Sequence, residues 1–189
     1  PFDYTGSTED GGTSLAVDGV EATETGAVQA LSFSESGQAT GPLVFAGYGL
    51  VVPEVDGFSY DSYATLDVTS KIVVVLRYFP EDAETDIRAA LSRYAGLRFK
   101  AQAARQRGAL GLLVVTGPRS PNAGELVRMT GDTAAADSGI VAASVDQAMG
   151  DTLFDLIPGR TLEEVQAELD SGNPHVTGFD MGAEATLDV

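Results

Sequence analysis

Two apolar runs on either side of a helical repeat dominate the middle of the chain. Residues 71–76 (KIVVVL) are apolar at successive positions, as in a strand that is buried on both faces. Residues 87–108 carry apolar or small side chains at spacings of three and four, which predicts a helix over about 97–107 and another before Gly96. Residues 109–115 (ALGLLVV) form a second buried strand. This order predicts a right-handed βαβ crossover between two parallel strands.

Shorter apolar patterns precede this crossover. Residues 15–17 and 28–33 alternate between apolar and polar positions, which predicts edge strands or the arm of a hairpin. Residues 42–52 (PLVFAGYGLVV) predict one buried strand that is bent at its two glycines. Residues 53–63 combine turn-forming residues with three aromatics. We therefore expect a loop there that packs onto the body of the domain.

A third buried strand follows the crossover. Residues 117–138 lack periodicity and predict a long surface loop, after which residues 140–145 (IVAASV) are again apolar. Ser144 and Gln147 have the spacing of a capping box, in which the first side chain accepts a hydrogen bond from the backbone three residues on. The spacing predicts a helix over about 146–154.

The C-terminal residues predict one more helix and one more strand. Thr161 and Glu164 repeat the capping-box spacing ahead of a short amphipathic helix that ends near Gly172, and residues 183–189 alternate like a strand. The predicted fold class is therefore α/β, with a βαβ crossover as its core and additional edge strands. We expect residues 1–40 to be an N-terminal extension that belongs to the same domain as residues 41–189.

Charge and composition narrow the possible partners. The 189 residues include 28 acidic and 11 basic side chains, which gives a net charge of −17. Nucleic acid and anionic membranes would repel such a surface, so neither is expected as a partner. No apolar run approaches the ~20 residues that a membrane-spanning helix needs. The chain begins at Pro1 without an initiator methionine or a signal-like segment, as expected for a processed protein or a domain of a longer one.

The inventory of reactive side chains is short. The absence of cysteine removes disulfides, thiolate nucleophiles and zinc–thiolate sites. His175 is the only histidine, so a site built on two imidazoles within this chain is excluded. It follows a turn-forming Asn-Pro pair, which favours an exposed loop residue over a catalytic base. No nucleophile elbow of the G-x-S-x-G type occurs.

The remaining candidate motifs are weak. Gly47-Tyr48-Gly49 begins like a dinucleotide-binding fingerprint, but the third glycine and the following helix are missing. The carboxylates do not follow the spacing of a calcium loop, and a solvated acidic face is favoured over a loosely bound cation. The clustered tyrosines suit an interface or strand packing. From the residues themselves we predict no catalytic, cofactor-binding or metal-ligating residue in this chain. The carboxylates considered are Asp82, Glu84, Asp86, Glu125, Asp132, Asp137, Glu163 and Glu164.

Four segments in order resemble the protease-associated (PA) domain of secreted zinc aminopeptidases of the leucine-aminopeptidase and glutamate-carboxypeptidase type. Ser70 stands where that family usually has glycine, and Val141 where proline is common. The stretch 162–189 resembles the helix and final strand that lead back to the peptidase. The segments are 43–52 (LVFAGYGLVV), 60–76 (YDSYATLDVTSKIVVVL), 100–115 (KAQAARQRGALGLLVV) and 138–145 (SGIVAASV).

The resemblance implies a compact β/β/α sandwich that is not itself an enzyme. In the family, zinc is bound in the peptidase domain by two histidines and several acids, so zinc is expected only there. The implied function is a non-catalytic accessory domain that covers or flanks the active-site cleft of an exported aminopeptidase. The implied partners are the peptidase domain of the same polypeptide and peptide or protein substrates, and the implied location is secreted or periplasmic. If the negative field faces the cleft, it would favour basic peptides.

Two other functions stay open from the sequence. One is a stand-alone interaction module of the same fold, and the other is a hydrolase that uses a carboxylate pair with a divalent ion. Within the segment 100–115, Lys100 is expected to lay its stem along the helix with its ammonium in water or at a carboxylate. Ala103, Ala104 and Gly108 are small enough to let that helix lie close to the sheet.

Overall fold

An eight-stranded sheet organises the chain in the computed structural model, which describes residues 11–21, 26–55, 57–129, 138–173 and 178–189. Two further strands form a separate hairpin. The strands are β1 (Ser14–Val17), β2 (Val20–Glu21), β3 (Val28–Ala30), β4 (Gln38–Phe45), β5 (Val51–Val55), β6 (Phe58–Asp61), β7 (Ile72–Leu76), β8 (Gly111–Val115), β9 (Val141–Val145) and β10 (Phe179–Asp188). The helices are α1 (Thr85–Ser92), α2 (Leu97–Gln106), α3 (Gln147–Asp155) and α4 (Leu162–Asp170).

Parallel strands form the centre of the large sheet. The strand order is β2-β1-β10-β4-β7-β8-β9-β3, in which β4, β7, β8 and β9 are parallel neighbours and the other pairs are antiparallel. β7 and β8 pair in step from Ile72 opposite Gly111 to Leu76 opposite Val115, and the chain between them contains α1 and α2. The predicted βαβ crossover is therefore confirmed, as is the α/β class.

The sheet is covered on both faces, because the side chains of a strand alternate between them. In β7 every residue is buried. Val73 and Val75 pack with the small Ala101 and Ala104 of α2 on one face. Ile72 and every second residue of β7 after it pack on the other face with side chains of α3 and α4. The two continuous apolar runs of the sequence are thus strands with a core on each side.

Both ends of the chain meet in the same sheet. β10 lies between β1 and β4, with Ser14 opposite Asp188 and Phe179 opposite Phe45. A bulge interrupts the pairing with β4 between Asp180 and Glu184. The strand begins at Phe179, four residues before the predicted range 183–189. The alternating residues 15–17 and 28–30 also form strands, the first in a hairpin with β2 and the second at an edge of the sheet.

The apolar run 42–52 is two strands instead of one bent strand. β4 ends at Phe45 in the large sheet, and β5 begins at Val51 in the separate hairpin. Gly47 (φ 56°) and Gly49 (φ 62°) between them have left-handed backbone conformations, so the chain leaves the large sheet where a bend within one strand was expected. The predicted loop 53–63 is correspondingly wrong in part, because much of it forms the β5–β6 hairpin.

Helix α3 is capped by a different residue than the spacing predicted. The Asp146 side chain accepts from the backbone N–H of Met149 at 2.9 Å. Ser144 lies inside β9, and its Oγ instead accepts from the backbone N–H of Val127 at 3.1 Å. The capping box of α4 is confirmed, since both hydrogen bonds between Thr161 and Glu164 are present.

Candidate functional site

A groove of about 670 Å³ opens on the α2 side of the sheet. Its walls come from three segments: residues 31–33 after β3, residues 96–99 at the start of α2, and residues 122–128 after β8. Arg77, the residue that follows β7, completes it. The loop is held to the sheet by the hydrogen bond from Val127 to Ser144. The groove therefore lies between the start of α2 and the loop after β8, which cover adjacent parts of the sheet.

The groove has an apolar floor and a basic rim. Leu31 and Phe33 are 3% and 5% exposed and form the floor. Arg98 and Arg128 are exposed at the rim, and Arg77 is half-buried. Among the residues that the structure describes, the lining includes three arginines and one glutamate, a formal charge of +2 in a molecule whose net charge is −17. Local charge and whole-molecule charge have opposite signs here.

Aromatic rings accompany the guanidinium groups. The Arg98 Cζ lies 5.2 Å from the ring centroid of Phe33, and the Arg77 Cζ lies 4.8 Å from that of Tyr78. Both distances are within the range of a cation–π interaction. Phe99 lines the groove and is 55% exposed, so its ring adds apolar surface beside the arginines. The site can thus offer both charge and apolar surface to a ligand.

The start of α2 adds a positive dipole end to this groove. Gly96 caps the helix without a side-chain hydrogen bond, and the first turn holds no acidic residue. The first N–H groups of an α-helix lack partners within the helix and give its N-terminus a partial positive charge. Because residues 96–99 all line the groove, that charge reinforces the arginines.

The backbone beside Arg77 is strained and held in place by a buried lysine. Tyr78 has a left-handed backbone conformation (φ 67°), which is unfavourable for a bulky residue. The Nζ of Lys100 donates to the carbonyl oxygens of Leu76 at 2.7 Å and of Tyr78 at 2.6 Å. Asn122, from the loop wall, donates to the Tyr78 Oη at 3.0 Å. These contacts fix the turn that carries Arg77.

The position of Lys100 corrects the sequence-based expectation. Its side chain is fully buried, with its ammonium at two backbone carbonyls and 5.6 Å from the Tyr48 ring centroid, and not in water or at a carboxylate. Burial holds the pKa of Lys100 well below its usual value. The apolar stripe of α2 did not predict this burial. Lysine is rarely fully buried, so a lysine next to an apolar stripe is ordinarily expected to reach solvent.

The comparisons with known proteins agree with this architecture. A family model described as the PA domain matches residues 39–153. The chain belongs to the PA domain family. No curated protein matches it.

Two solved structures share the fold of this PA domain. The aminopeptidase from Aneurinibacillus sp. strain AM-1 is 17% identical with a TM-score of 0.57, and the match covers 97% of this chain and 32% of the other. BSAP, a zinc aminopeptidase from Bacillus subtilis, is 20% identical with a TM-score of 0.50, covering 93% of this chain and 29% of the other. This chain therefore spans about a third of each protein that it resembles.

A second polar cluster in the PA domain is held together by hydrogen bonds among its own side chains. Asp170, 1% exposed, accepts from the Tyr48 Oη at 2.5 Å and from the Arg119 Nε at 2.8 Å. Gln166 donates to the Tyr48 Oη and to the Ser120 Oγ. Burial, and then the hydrogen bond to Asp170, raise the pKa of Tyr48. The cluster joins the loop after β8 to α4, and its polar atoms bind one another.

The sequence contains one signal for this cluster, on the buried stripe of α4. Gln166 and Asp170 fall on the buried stripe of α4, one residue beyond Val165 and Leu169. A polar residue inside an apolar helical stripe has to find a partner, since unpaired burial costs free energy. The partner residues lie 46 to 122 positions away in sequence, which the stripe alone could not predict.

The carboxylates named from the sequence do not converge. Glu164 belongs to the α4 capping box, Asp82 pairs with Arg119 at 2.9 Å, and Glu125 lines the groove. Within the ranges that the structure describes, no three histidine, cysteine or acidic side chains are grouped for a metal ion. Asp132, Asp137 and His175 lie outside those ranges. No helix among the described residues is long and apolar enough to cross a membrane.

Tyr48 occupies the turn that resembled a dinucleotide motif. It is completely buried between two left-handed glycines, and a Cβ on Gly49 would lie 2.7 Å from the Val75 side chain. Tyr60 and Tyr63 are also buried. For these three tyrosines, packing is the observed role. The glycines are therefore explained by close packing of a turn.

Proposed function

We propose that this PA domain is the non-catalytic accessory domain of an exported zinc-dependent aminopeptidase, where it covers or flanks the active-site cleft. Its partners would be the peptidase domain of the same polypeptide and the peptides or proteins that enter the cleft. Zinc would be bound in the peptidase domain. Secretion or export to the periplasm follows from the same proposal.

The observation that carries the proposal is the family match together with the kind of protein that shares the fold. Two aminopeptidases contain a region that aligns with nearly all of this chain, and in each that region is about a third of the protein. One of them, BSAP, is a zinc aminopeptidase. Beside a catalytic domain, a domain of this size would act by shape and charge, because it would narrow the access of substrates to the cleft and change the electrostatic field there.

The isolated chain tests the non-catalytic part of the proposal. We expect no hydrolysis of leucine p-nitroanilide by the purified 189-residue chain, with or without excess zinc. A zinc aminopeptidase assayed in the same buffer is the positive control. Turnover that co-purifies with the folded chain through successive columns would contradict the proposal.

The role in substrate access is tested in the polypeptide that carries the domain. We expect deletion of the domain to raise the hydrolysis of large polypeptides relative to that of leucine p-nitroanilide, because a steric wall discriminates by size. The ratio of the two rates controls for a general loss of activity. An unchanged ratio would exclude the steric role.

The basic groove favours a second candidate function, a stand-alone interaction module of the same fold. A lined groove with exposed cations and an exposed aromatic ring is a feature of binding surfaces. The coding sequence that flanks residues 1 and 189 separates the two candidates. A downstream H-x-D segment supports the peptidase, and a membrane-spanning segment supports an interaction module that belongs to a membrane receptor.

A further inference from the structure

The groove concentrates positive charge on an acidic molecule. It takes three of the eleven basic side chains and has Glu125 as the one acidic side chain among its described lining residues. Among the residues that the structure describes, Arg77 and Arg128 make no ion pair with a carboxylate, whereas five other basic residues do. Like-charged arginines brought together in this way favour an anionic ligand between them.

The geometry around Arg77 indicates a preorganised contact. Its carrier turn has the left-handed Tyr78, and both flanking carbonyls are held by the buried Lys100. Backbone strain of this kind persists only where surrounding contacts fix it, and it concentrates at ligand sites. The Arg77 Cζ also lies 4.8 Å from the Tyr78 ring centroid, and a side chain whose backbone and ring contact are already in place loses less freedom when it binds an anion.

The apolar lining determines which anion fits. Leu97, Leu126 and Val127 are half-buried along the groove, and Phe99 is half-exposed at its mouth. A small inorganic anion would leave this surface in water. An extended polypeptide that alternates acidic and apolar side chains would cover it while its carboxylates reach the arginines, because such side chains alternate along an extended chain.

We propose that the groove binds an extended acidic polypeptide segment, with Arg77 and Arg128 contacting carboxylates and the Leu97–Phe99 wall contacting apolar side chains. The proposal rests on the proposed function, since a domain beside a peptidase cleft meets polypeptide chains. It reverses the preference for basic peptides that net charge alone predicts. The recognised groups are the side-chain carboxylates of the segment, and recognition of a free C-terminal carboxylate is an alternative that the test distinguishes.

Binding to the 189-residue chain tests the proposal by fluorescence anisotropy with labelled eight-residue peptides. One alternates glutamate and leucine with both ends blocked, one alternates lysine and leucine, and one alternates serine and leucine with a free C-terminus. We expect the glutamate peptide to bind at least tenfold more tightly than the lysine peptide. Tighter binding of the free C-terminal peptide than of the glutamate peptide would contradict side-chain carboxylate recognition.

Variants locate the binding. We expect R77Q and R128Q each to weaken binding of the glutamate peptide by roughly three- to tenfold, as for partly exposed charge-assisted contacts. R93Q is the matched control, because Arg93 is exposed at the end of α1 and does not line the groove. Circular dichroism of each variant verifies folding.

Three further results would overturn the proposal. They are equal binding of the lysine peptide, unchanged binding in the R77Q/R128Q double variant, and tighter binding of a single-stranded oligothymidylate than of the glutamate peptide. The last result would assign the groove to phosphate. None of them concerns catalysis, so a failure here is distinguishable from hydrolysis of leucine p-nitroanilide by the chain, which would refute the accessory role itself.

Discussion

Ser70 has a backbone conformation that favours glycine. Its φ is 58°, and its N–H donates to the Gly108 carbonyl at 2.8 Å in the turn that leads into β7. The same turn approaches β4 so closely that a Cβ on Gly41 would lie 2.7 Å from the Ser70 oxygen. The resemblance to PA domains placed glycine at this position. The departure from the family pattern is therefore a source of backbone strain at an exposed turn.

We expect Ser70→Gly to raise the free energy of unfolding by about 0.5–1 kcal/mol. Relief of the left-handed strain, about 1–2 kcal/mol, exceeds the extra flexibility that glycine gives the unfolded chain, about 0.5–1 kcal/mol. Urea denaturation followed by circular dichroism measures the change. Ser92→Gly is the control, since Ser92 is helical in α1 and the same substitution there should destabilise the protein. Equal effects at both positions would argue against strain at Ser70.

Short-range signals for helix ends succeeded or failed according to what else the residue contacts. Thr161 is exposed and free to cap α4, so its spacing was sufficient. Ser144 is 1% exposed in β9 and serves the loop after β8, so the capping role passes to its neighbour Asp146. The spacing rule reads only local geometry, whereas a buried hydroxyl takes whichever partner the tertiary structure brings to it.

We expect Asp146→Ala to lower the free energy of unfolding by about 1 kcal/mol, because the backbone N–H of Met149 loses its acceptor. Asp146→Asn keeps an acceptor of the same shape and should cost much less. Thermal unfolding by circular dichroism compares the two. A loss for asparagine as large as that for alanine would show that the charge, and not the cap, provides the stabilisation.

Buried phenols couple the stability of the whole molecule to alkaline pH. Burial raises the pKa of Tyr60 to about 12, and it also raises the pKa values of Tyr48 and Tyr63. In the unfolded chain a tyrosine ionises near pH 10, so above that pH the folded state retains protons that the unfolded state has lost. Lys100 titrates in the opposite sense, but its contribution ends near pH 10.4, where the unfolded lysine also becomes neutral.

We expect the free energy of unfolding to fall steeply between about pH 10.5 and pH 12, since each buried tyrosine contributes about 1.4 kcal/mol per pH unit. Urea denaturation at closely spaced pH values measures the slope. Tyr60→Phe removes one of the three contributions and should reduce the slope by about a third. A slope that is the same in Tyr60→Phe would exclude Tyr60 as a titrating group.

The groove also belongs to the scale of the whole molecule. The sequence spreads its basic residues along the chain, and nothing in their spacing indicates that Arg77, Arg98 and Arg128 line one surface. They come together because β7, the start of α2 and the loop after β8 meet at one side of the sheet. Net charge averages over the chain and therefore does not report the local charge of this surface.

The sequence by itself determined the α/β class, the βαβ crossover and the positions of its buried strands. Continuous apolar runs and a helical repeat are local patterns, and the hydrophobic effect buries the apolar side chains that form them. The tertiary structure decided the placement of β10 between β1 and β4, the separate β5–β6 hairpin, the burial of Lys100 and the lining of the groove. These features depend on contacts between residues that are distant in sequence. The groups that pair by hydrogen bonds or lie together as charges follow no periodic pattern along the chain, so the sequence does not reveal them.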